Sequence, residues 1–311
     1  MEKVIIHSSK SEAKKEVIFS DRNRIKTPRI QNKLFHFYTL LSACLLGLIL
    51  VSILFFIGKT GFLVFQEVSF KEFFLSLSWE PYDDQFGAGI FIIGTFSLTL
   101  LTLLIAIPTS LVIAIFSAEM APLWLKSLIR PVLDLLVGIP SIVYGYLGLT
   151  ILVPLIRDLT GATIGEGFLP AAIVLSTMVL PTIARISDDA ITSVPKELRE
   201  ASYALGSTRI QLITKVILPA AKSGIITAII LGMARAIGET MAVVMVIGNT
   251  AILPKDLYSP TSVLTSNIVM EILNVQFDST WNYALYMMAF LLLLISLVLI
   301  MIIRKLRVKG V

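Results

Sequence analysis

Charge is scarce in this sequence. Of its 311 residues only 15% are Asp, Glu, Lys or Arg, whereas 56% are hydrophobic and the mean hydropathy is +0.87. Soluble domains carry about 25% charged residues, so a soluble globular organisation is excluded. A single cysteine, Cys44, rules out an intrachain disulfide and a cysteine metal cluster. Two dispersed histidines, His7 and His36, are too few for a histidine-based metal site. Internal repeats and low-complexity tracts are absent as well. The phosphate-cradling loop G-x-x-x-x-G-K-[ST] is missing. Its one partial match, Gly58-Lys59-Thr60, has Ile53 in place of the first glycine and sits at the end of an apolar run. Neither a G-x-S-x-G elbow nor an H-E-x-x-H helix occurs. These absences predict a non-catalytic chain without cofactor or metal, whose energy source lies on another chain. The first 33 residues are polar and basic, so no cleavable signal peptide is expected.

What is present is a set of long apolar runs. A hydrocarbon core about 30 Å thick takes roughly 20 residues at 1.5 Å each. Nearly charge-free runs of suitable length lie at 35–57, 88–118, 131–156, 167–186, 224–250 and 280–303. The expected fold is therefore an all-α polytopic membrane protein with six transmembrane helices. The second run exceeds one bilayer and is expected to tilt or project, with Pro108 as a kink. Lys and Arg give the orientation. Nine stand in the N-terminal segment, two (Lys126, Arg130) between spans two and three, six between spans four and five, and four after the last span. The opposite side has only Lys59, Lys71, Arg157 and Lys255. The positive-inside tendency then puts both termini and the 187–223 loop in the cytoplasm of a prokaryotic plasma (inner) membrane. A nucleic-acid partner is not indicated. The expected divisions are a basic cytoplasmic arm (1–33), a first span with an external loop (34–87), a transmembrane domain (88–303) containing the 187–223 loop, and a basic tail (304–311). The loop at 58–87 ends acidic and aromatic, "SWEPYDDQFG", and reads either as a plain solvated loop or as a docking surface.

The loop between spans four and five has a pattern of its own, "VPKELREASYALGSTRIQLITKVILP" over 194–219. Pro195 suits a helix start, and Leu198, Ala201, Ala204 and Leu205 form an apolar stripe. Gly206 suits a left-handed C′ position, Ser207 or Thr208 caps a second helix, and Pro219 ends that helix or marks re-entry into the membrane. Tethering of both ends close to the bilayer argues against DNA binding, despite the helix–turn–helix outline. Two readings stand: a helix pair lying on lipid, or a rigid knob docking into a cytoplasmic partner.

"EASYALG" followed by "ILP" resembles the EAA loop of ATP-binding-cassette importer permeases: Glu-Ala-Ala, three residues, Gly, nine residues, Ile, one residue, Leu-Pro. Glu200, Ala201, Gly206, Leu218 and Pro219 fit at the right spacing, with Ser202 for the second Ala and Val216 for Ile. Together with "GIPSIVYG" (138–145) and "ARAIGETMAVVMVIGN" (234–249), residues 90–303 are similar to the phosphate-importer permease family of PstC subunits. The resemblance implies a type I importer, MetI-like architecture. It also implies a second related permease, two ATP-binding cassette subunits docking at Glu200, Ala201, Ser202, Leu205 and Gly206, and an external phosphate-binding protein that delivers inorganic phosphate. A permease for sulfate or molybdate, or a secondary transporter or channel without an ATPase, remain the alternatives.

Within the fifth run stand Arg235 and Glu239, spaced i, i+4 and so expected on one helical face near mid-membrane. An arginine at that depth costs about 2.5–3.5 kcal/mol. The pair either fixes helix packing as an internal ion pair or offers Arg235 as an anion contact. In the second case Glu239 holds Arg235 between cycles or accepts a hydrogen bond from hydrogen phosphate. Small residues at Gly232, Ala234, Ala236, Gly238, Ala242 and Gly248 predict close neighbours. Ser141 and Tyr144 are candidates for further anion hydrogen bonds or for bonds across helices. Gly138 and Pro140 hint at a broken helix, and Asp134 is expected to complement a helix N-terminus.

Overall fold

A chain this apolar must satisfy its backbone groups internally, and helices do so segment by segment. In a computed structural model, the backbone is described for residues 2–161 and 163–308, and side chains for 32–161, 163–301, 304 and 305. In chain order the elements are α1 (Glu2–Phe62), α2 (Phe70–Leu75), a two-stranded hairpin of β1 (Trp79–Glu80) and β2 (Gln85–Phe86), α3 (Gly89–Ile115), α4 (Leu123–Gly138), α5 (Ser141–Leu147) and α6 (Val153–Thr160). There follow α7 (Phe168–Thr192), α8 (Lys196–Ala204), α9 (Arg209–Leu212), α10 (Leu218–Gly238), α11 (Met241–Val244), α12 (Leu264–Glu271) and α13 (Thr280–Val308). Among the described residues, six helical runs are long and apolar enough to cross a membrane: Asn32–Gln66, Gly89–Met120, Ser141–Thr160, Phe168–Thr192, Arg209–Gly238 and Thr280–Met301.

The chain divides into two units, residues 1–56 and 57–311. In the first, the apolar side chains from Leu34 to Phe56, the half-buried Leu54 excepted, are exposed around the helix, the surface expected of a segment solvated by lipid. In the second, α7 is the central element. It packs chiefly on α3 and α10, and 61% of its apolar window is buried. Ala171, Leu175, Met178, Val179 and Ile183 of α7 meet Leu98 and Ala106 of α3 and Ala228 and Ala236 of α10. Lipid tails are as apolar as these side chains, so the contacts stabilise through close packing more than through water exclusion. Pro181 lies inside α7 without ending it, and beside it Ser110 Oγ donates to the Leu180 carbonyl at 3.0 Å, tying α3 to α7.

Five expectations need correction. The third span is not 131–156. The chain is extended at Ile139 and Pro140, so Leu123–Gly138 is a separate helix and the span begins at Ser141. Proline disfavours helical geometry in the residue before it, which is the physical cause of the break. Asp134 consequently lies deep in α4, not at an N-terminus, and pairs with Arg185 at 2.9 Å. Of the two roles open to Pro219, ending the second loop helix is the one that fails. A π turn at Ile213–Ile217 absorbs the proline's missing donor, and the helical run continues from Arg209 to Gly238. The fifth span therefore starts earlier and stops earlier than 224–250. Lastly, the 58–87 segment is no plain solvated loop. Val64, Phe73, Trp79 and Phe86 form a buried cluster with Leu285 and Met288 of α13.

Candidate functional site

The stretches singled out by the sequence, "GIPSIVYG" and "GETMAVV", come together. Gly145 of α5 lies so close to α11 that an added Cβ would sit 2.9 Å from both the Ala242 Cα and the Met245 Sδ. Only glycine permits that approach. Immediately before it on α5 is Tyr144, buried, whose hydroxyl donates to the Leu136 carbonyl at 2.8 Å and so spans the Gly138–Pro140 break. Ser141 is half-buried at the first turn of α5.

Arg235 and Glu239 do not share a helical face. Helix α10 ends at Gly238, and Glu239 is extended at φ −71°, ψ 131°. Gly238 is exposed with open space around it, while Gly232, Ala236 and Ala242 are buried among neighbours. The expectation of tight packing thus holds for part of the small-residue set. The i, i+4 pairing fails because it presupposed an unbroken helix. No ion pair within 4.0 Å joins the two residues; the described ion pairs lie elsewhere. The half-buried Arg235 stands in the last turn of α10, where the helix dipole favours a cation. Its Nη1 donates to Thr182 Oγ1 at 3.0 Å. This is one of five guanidinium donors, and Arg235 lies near enough to Tyr144 to act on it electrostatically. Glu239 turns the other way. One carboxylate oxygen accepts from the Ala242 N–H at 3.2 Å, and Thr265 Oγ1 donates to its backbone carbonyl at 3.0 Å. With Thr95, Thr99 and Thr265 it lines a cleft of about 10 Å³, room for one water. The backbone beyond is irregular, with Asn249 Nδ2 donating to the Val244 carbonyl at 2.7 Å and Thr261 N–H to the Ile247 carbonyl at 3.1 Å. Such backbone is tolerated at membrane depth only inside protein or along a cavity.

The loop helices follow the sequence reading closely. Gly206 has φ +76°, a left-handed conformation that suits glycine, and Thr208 caps α9 through a reciprocal box with Gln211. Glu200, Ala201 and Leu205 are exposed, Leu205 at 89%, whereas Ser202 is buried and its hydroxyl bonds that of Ser207 at 2.6 Å. Tyr203 and Ile210 are exposed beside them. The knob thus presents apolar side chains outward and keeps its polar serines for holding the elbow.

Sequence reasoning missed the acidic partners beneath this knob. Arg130 binds the fully buried Asp188 through two bonds, at 2.7 and 3.2 Å, and also donates to Thr192. Arg185 pairs with Asp134 and Asp189; Arg199 pairs with Glu119 and donates to the Ile191 carbonyl at 2.9 Å. Arg209 donates to the Glu119 backbone. Basic residues counted only as a charged lining therefore fasten α4, α7 and the loop helices together. The i, i+4 spacing of Arg130 and Asp134 and the run "RISDD" were the available signals.

Six membrane-length helices, an exposed helix pair between two of them and a half-buried arginine at a helix break define a membrane permease component. The chain belongs to the family described as binding-protein-dependent transport system inner membrane component, which matches residues 110–308. It is 43% identical over 309 residues to a probable ABC transporter permease protein, YqgH, of Bacillus subtilis, covering 97% of this chain and 98% of that one. It is 41% identical over 212 residues to the phosphate transport system permease protein PstC of Pasteurella multocida (62% and 66% of the two chains). To the PstC protein of Xylella fastidiosa it is 36% identical over 251 residues (75% and 77%). In fold it is similar to a bacterial ABC transporter involved in alginate import, with a TM-score of 0.60 at 17% identity over 87% of this chain and 95% of that one. An inward-facing MetNI methionine ABC transporter gives 0.52 at 20% identity, over 70% and 91%. Those likenesses establish the MetI-like importer fold.

Proposed function

We propose that this chain is the permease subunit of an ATP-driven phosphate importer and forms half of the path by which inorganic phosphate crosses the membrane. It is non-catalytic. A second related permease completes the pathway, two ATP-binding cassette subunits dock on the α8–α9 knob, and an external phosphate-binding protein delivers the substrate. Both termini and the knob are cytoplasmic, in keeping with the distribution of Lys and Arg. Relatives named as phosphate transport system permeases support the substrate.

The observation that carries the reading is Arg235. A half-buried guanidinium in the last turn of a membrane-length helix, nearer the end of that run than the mid-membrane position expected from 224–250, commits one donor to Thr182 and keeps the others for an oxyanion. Tyr144 and Ser141 flank the path, and the free oxygen of Glu239 accepts a hydrogen bond from protonated phosphate, which sulfate cannot offer at neutral pH. In alternating access, nucleotide-driven closure of the ATPases moves the knob, and the arginine network transmits that movement to α7 and α4. The test is reconstitution with the three partners. ATP-dependent uptake of phosphate, resistant to excess sulfate, is expected; sulfate uptake, or phosphate flux without ATP, overturns the assignment.

A further inference from the structure

On the face opposite the knob, the hairpin and the end of α12 enclose a cavity of about 530 Å³. That lies within the size range of ligand pockets, about 300–1,000 Å³. Its walls come from segments nearly 200 residues apart in sequence, and their charged groups are all acidic. Trp79, Tyr82 and Trp281 supply rings; Glu80, Asp83 and Glu271 supply carboxylates; no lysine or arginine lines it. Glu271 fixes the two indoles, accepting from Trp79 Nε1 at 3.0 Å and from Trp281 Nε1 at 2.7 Å. The Tyr82 ring stands edge-on to Trp281 with centroids 5.4 Å apart, although Tyr82 is itself 91% exposed. A large ring thus stands at the rim of an acidic pocket, touching Trp281 and otherwise exposed among the described residues.

We propose that this pocket receives the side chain of a lysine or arginine presented by an external protein. An aliphatic stem lies along the Trp281 and Tyr82 rings, Trp79 being buried against Phe86 and Phe91, while its charge meets ring quadrupoles and carboxylates together. An anion, phosphate included, is repelled there. The occupant is a basic residue of the binding protein that delivers substrate, and in that respect the inference rests on the orientation proposed above. The pocket would then give that protein a fixed docking angle over the helices.

The test uses full-length protein in nanodiscs carrying Trp124→Phe, so that only Trp79 and Trp281 fluoresce. Nα-acetyl-lysinamide is titrated at constant ionic strength, with Nα-acetyl-norleucinamide as the uncharged control. A saturable change with the lysine compound, at least tenfold weaker with norleucine, and weakened at least threefold by Glu80→Gln/Asp83→Asn at the rim, is expected. No saturable change, an equal response to norleucine, or indifference to the rim variant overturns the proposal. Sidedness is read on Cys44→Ser/Asp83→Cys in right-side-out vesicles with an impermeant maleimide: labelling without lysis supports an external partner, and labelling only after lysis overturns it. The titration needs no transport. Lysinamide binding without phosphate uptake would therefore refute the transport reading alone, and uptake without binding the pocket alone.

Discussion

Leu205 permits a prediction in which folding and docking separate. It caps α8 one residue before the Gly206 elbow and is 89% exposed, so the folded chain gains almost nothing from it. Leu205→Ala should leave stability within about 0.5 kcal/mol, as for surface positions generally. Docking is a different matter. When the knob enters an ATPase cleft, the leucine passes from water into apolar contact, and its three extra carbons contribute about 0.8 kcal/mol each. Allowing for incomplete burial, the loss is about 2 kcal/mol, or roughly thirtyfold in Kd. The assay is binding of purified ATPase to nanodisc-held permease, with thermal unfolding measured in parallel. A Kd changed less than twofold at unchanged Tm would show that the knob's apolar tip is not buried by the partner, and the docking reading would fail. A large fall in Tm would show instead that Leu205 supports the fold, contrary to its exposure.

Other consequences follow from the same structure. Asp188→Asn strips a fully buried carboxylate from Arg130, which keeps 28% of its side chain exposed; a loss of about 3 kcal/mol is expected, at the low end for buried pairs, read as a lower unfolding midpoint in detergent. Arg130→Met/Asp188→Leu should recover much of that midpoint while still impairing ATP-dependent uptake. At Gly206 an added Cβ meets nothing within 4 Å, so Gly206→Ala costs only the left-handed backbone penalty, about 1–2 kcal/mol, seen as faster amide exchange over residues 202–208. Burial pushes the Glu271 carboxyl above its ordinary value, against the opposing hydrogen bonds from Trp281 and Trp79. A carboxyl with a raised folded pKa binds more protons folded than unfolded, so its contribution falls as pH rises past about 4.5. Stability measured with Glu271→Gln should lose that fall, Glu80 and Asp83 in the same pocket being present in both proteins.

Much of the architecture was legible in sequence because membrane helices answer to length and apolarity alone. The second, fourth and sixth runs fall close to Gly89–Met120, Phe168–Thr192 and Thr280–Met301. The elbow was legible for a different reason: Gly206 and Thr208 fix it through local backbone chemistry, which needs no tertiary knowledge. Where reading failed, the deciding interaction was distant or a proline acted unexpectedly. Pro140 ends a helix, whereas Pro219 is absorbed by a π turn, and composition cannot tell these apart. Gly238 and Glu239 look helical in an apolar run, but Thr265, 26 residues on, holds the Glu239 carbonyl and helps fix the break. The ion pairs of Asp188 and Glu119 join segments 58 and 80 residues apart, beyond any periodic pattern. Arg235, Glu239, Ser141 and Tyr144 stood out in the sequence as candidates; where each stands in the fold did not.

The claim at the centre of this account is that Arg235 meets the translocating anion. Arg235→Gln removes the charge and the forked donors while leaving a polar amide on a side chain about two bonds shorter, which gives up the bond from Nη1 to Thr182 as well. With the ATPases, the companion permease and the binding protein reconstituted beside it, assembly should be intact and ATP-dependent phosphate uptake should fall at least tenfold. Wild-type uptake by a fully assembled Arg235→Gln complex would contradict the account.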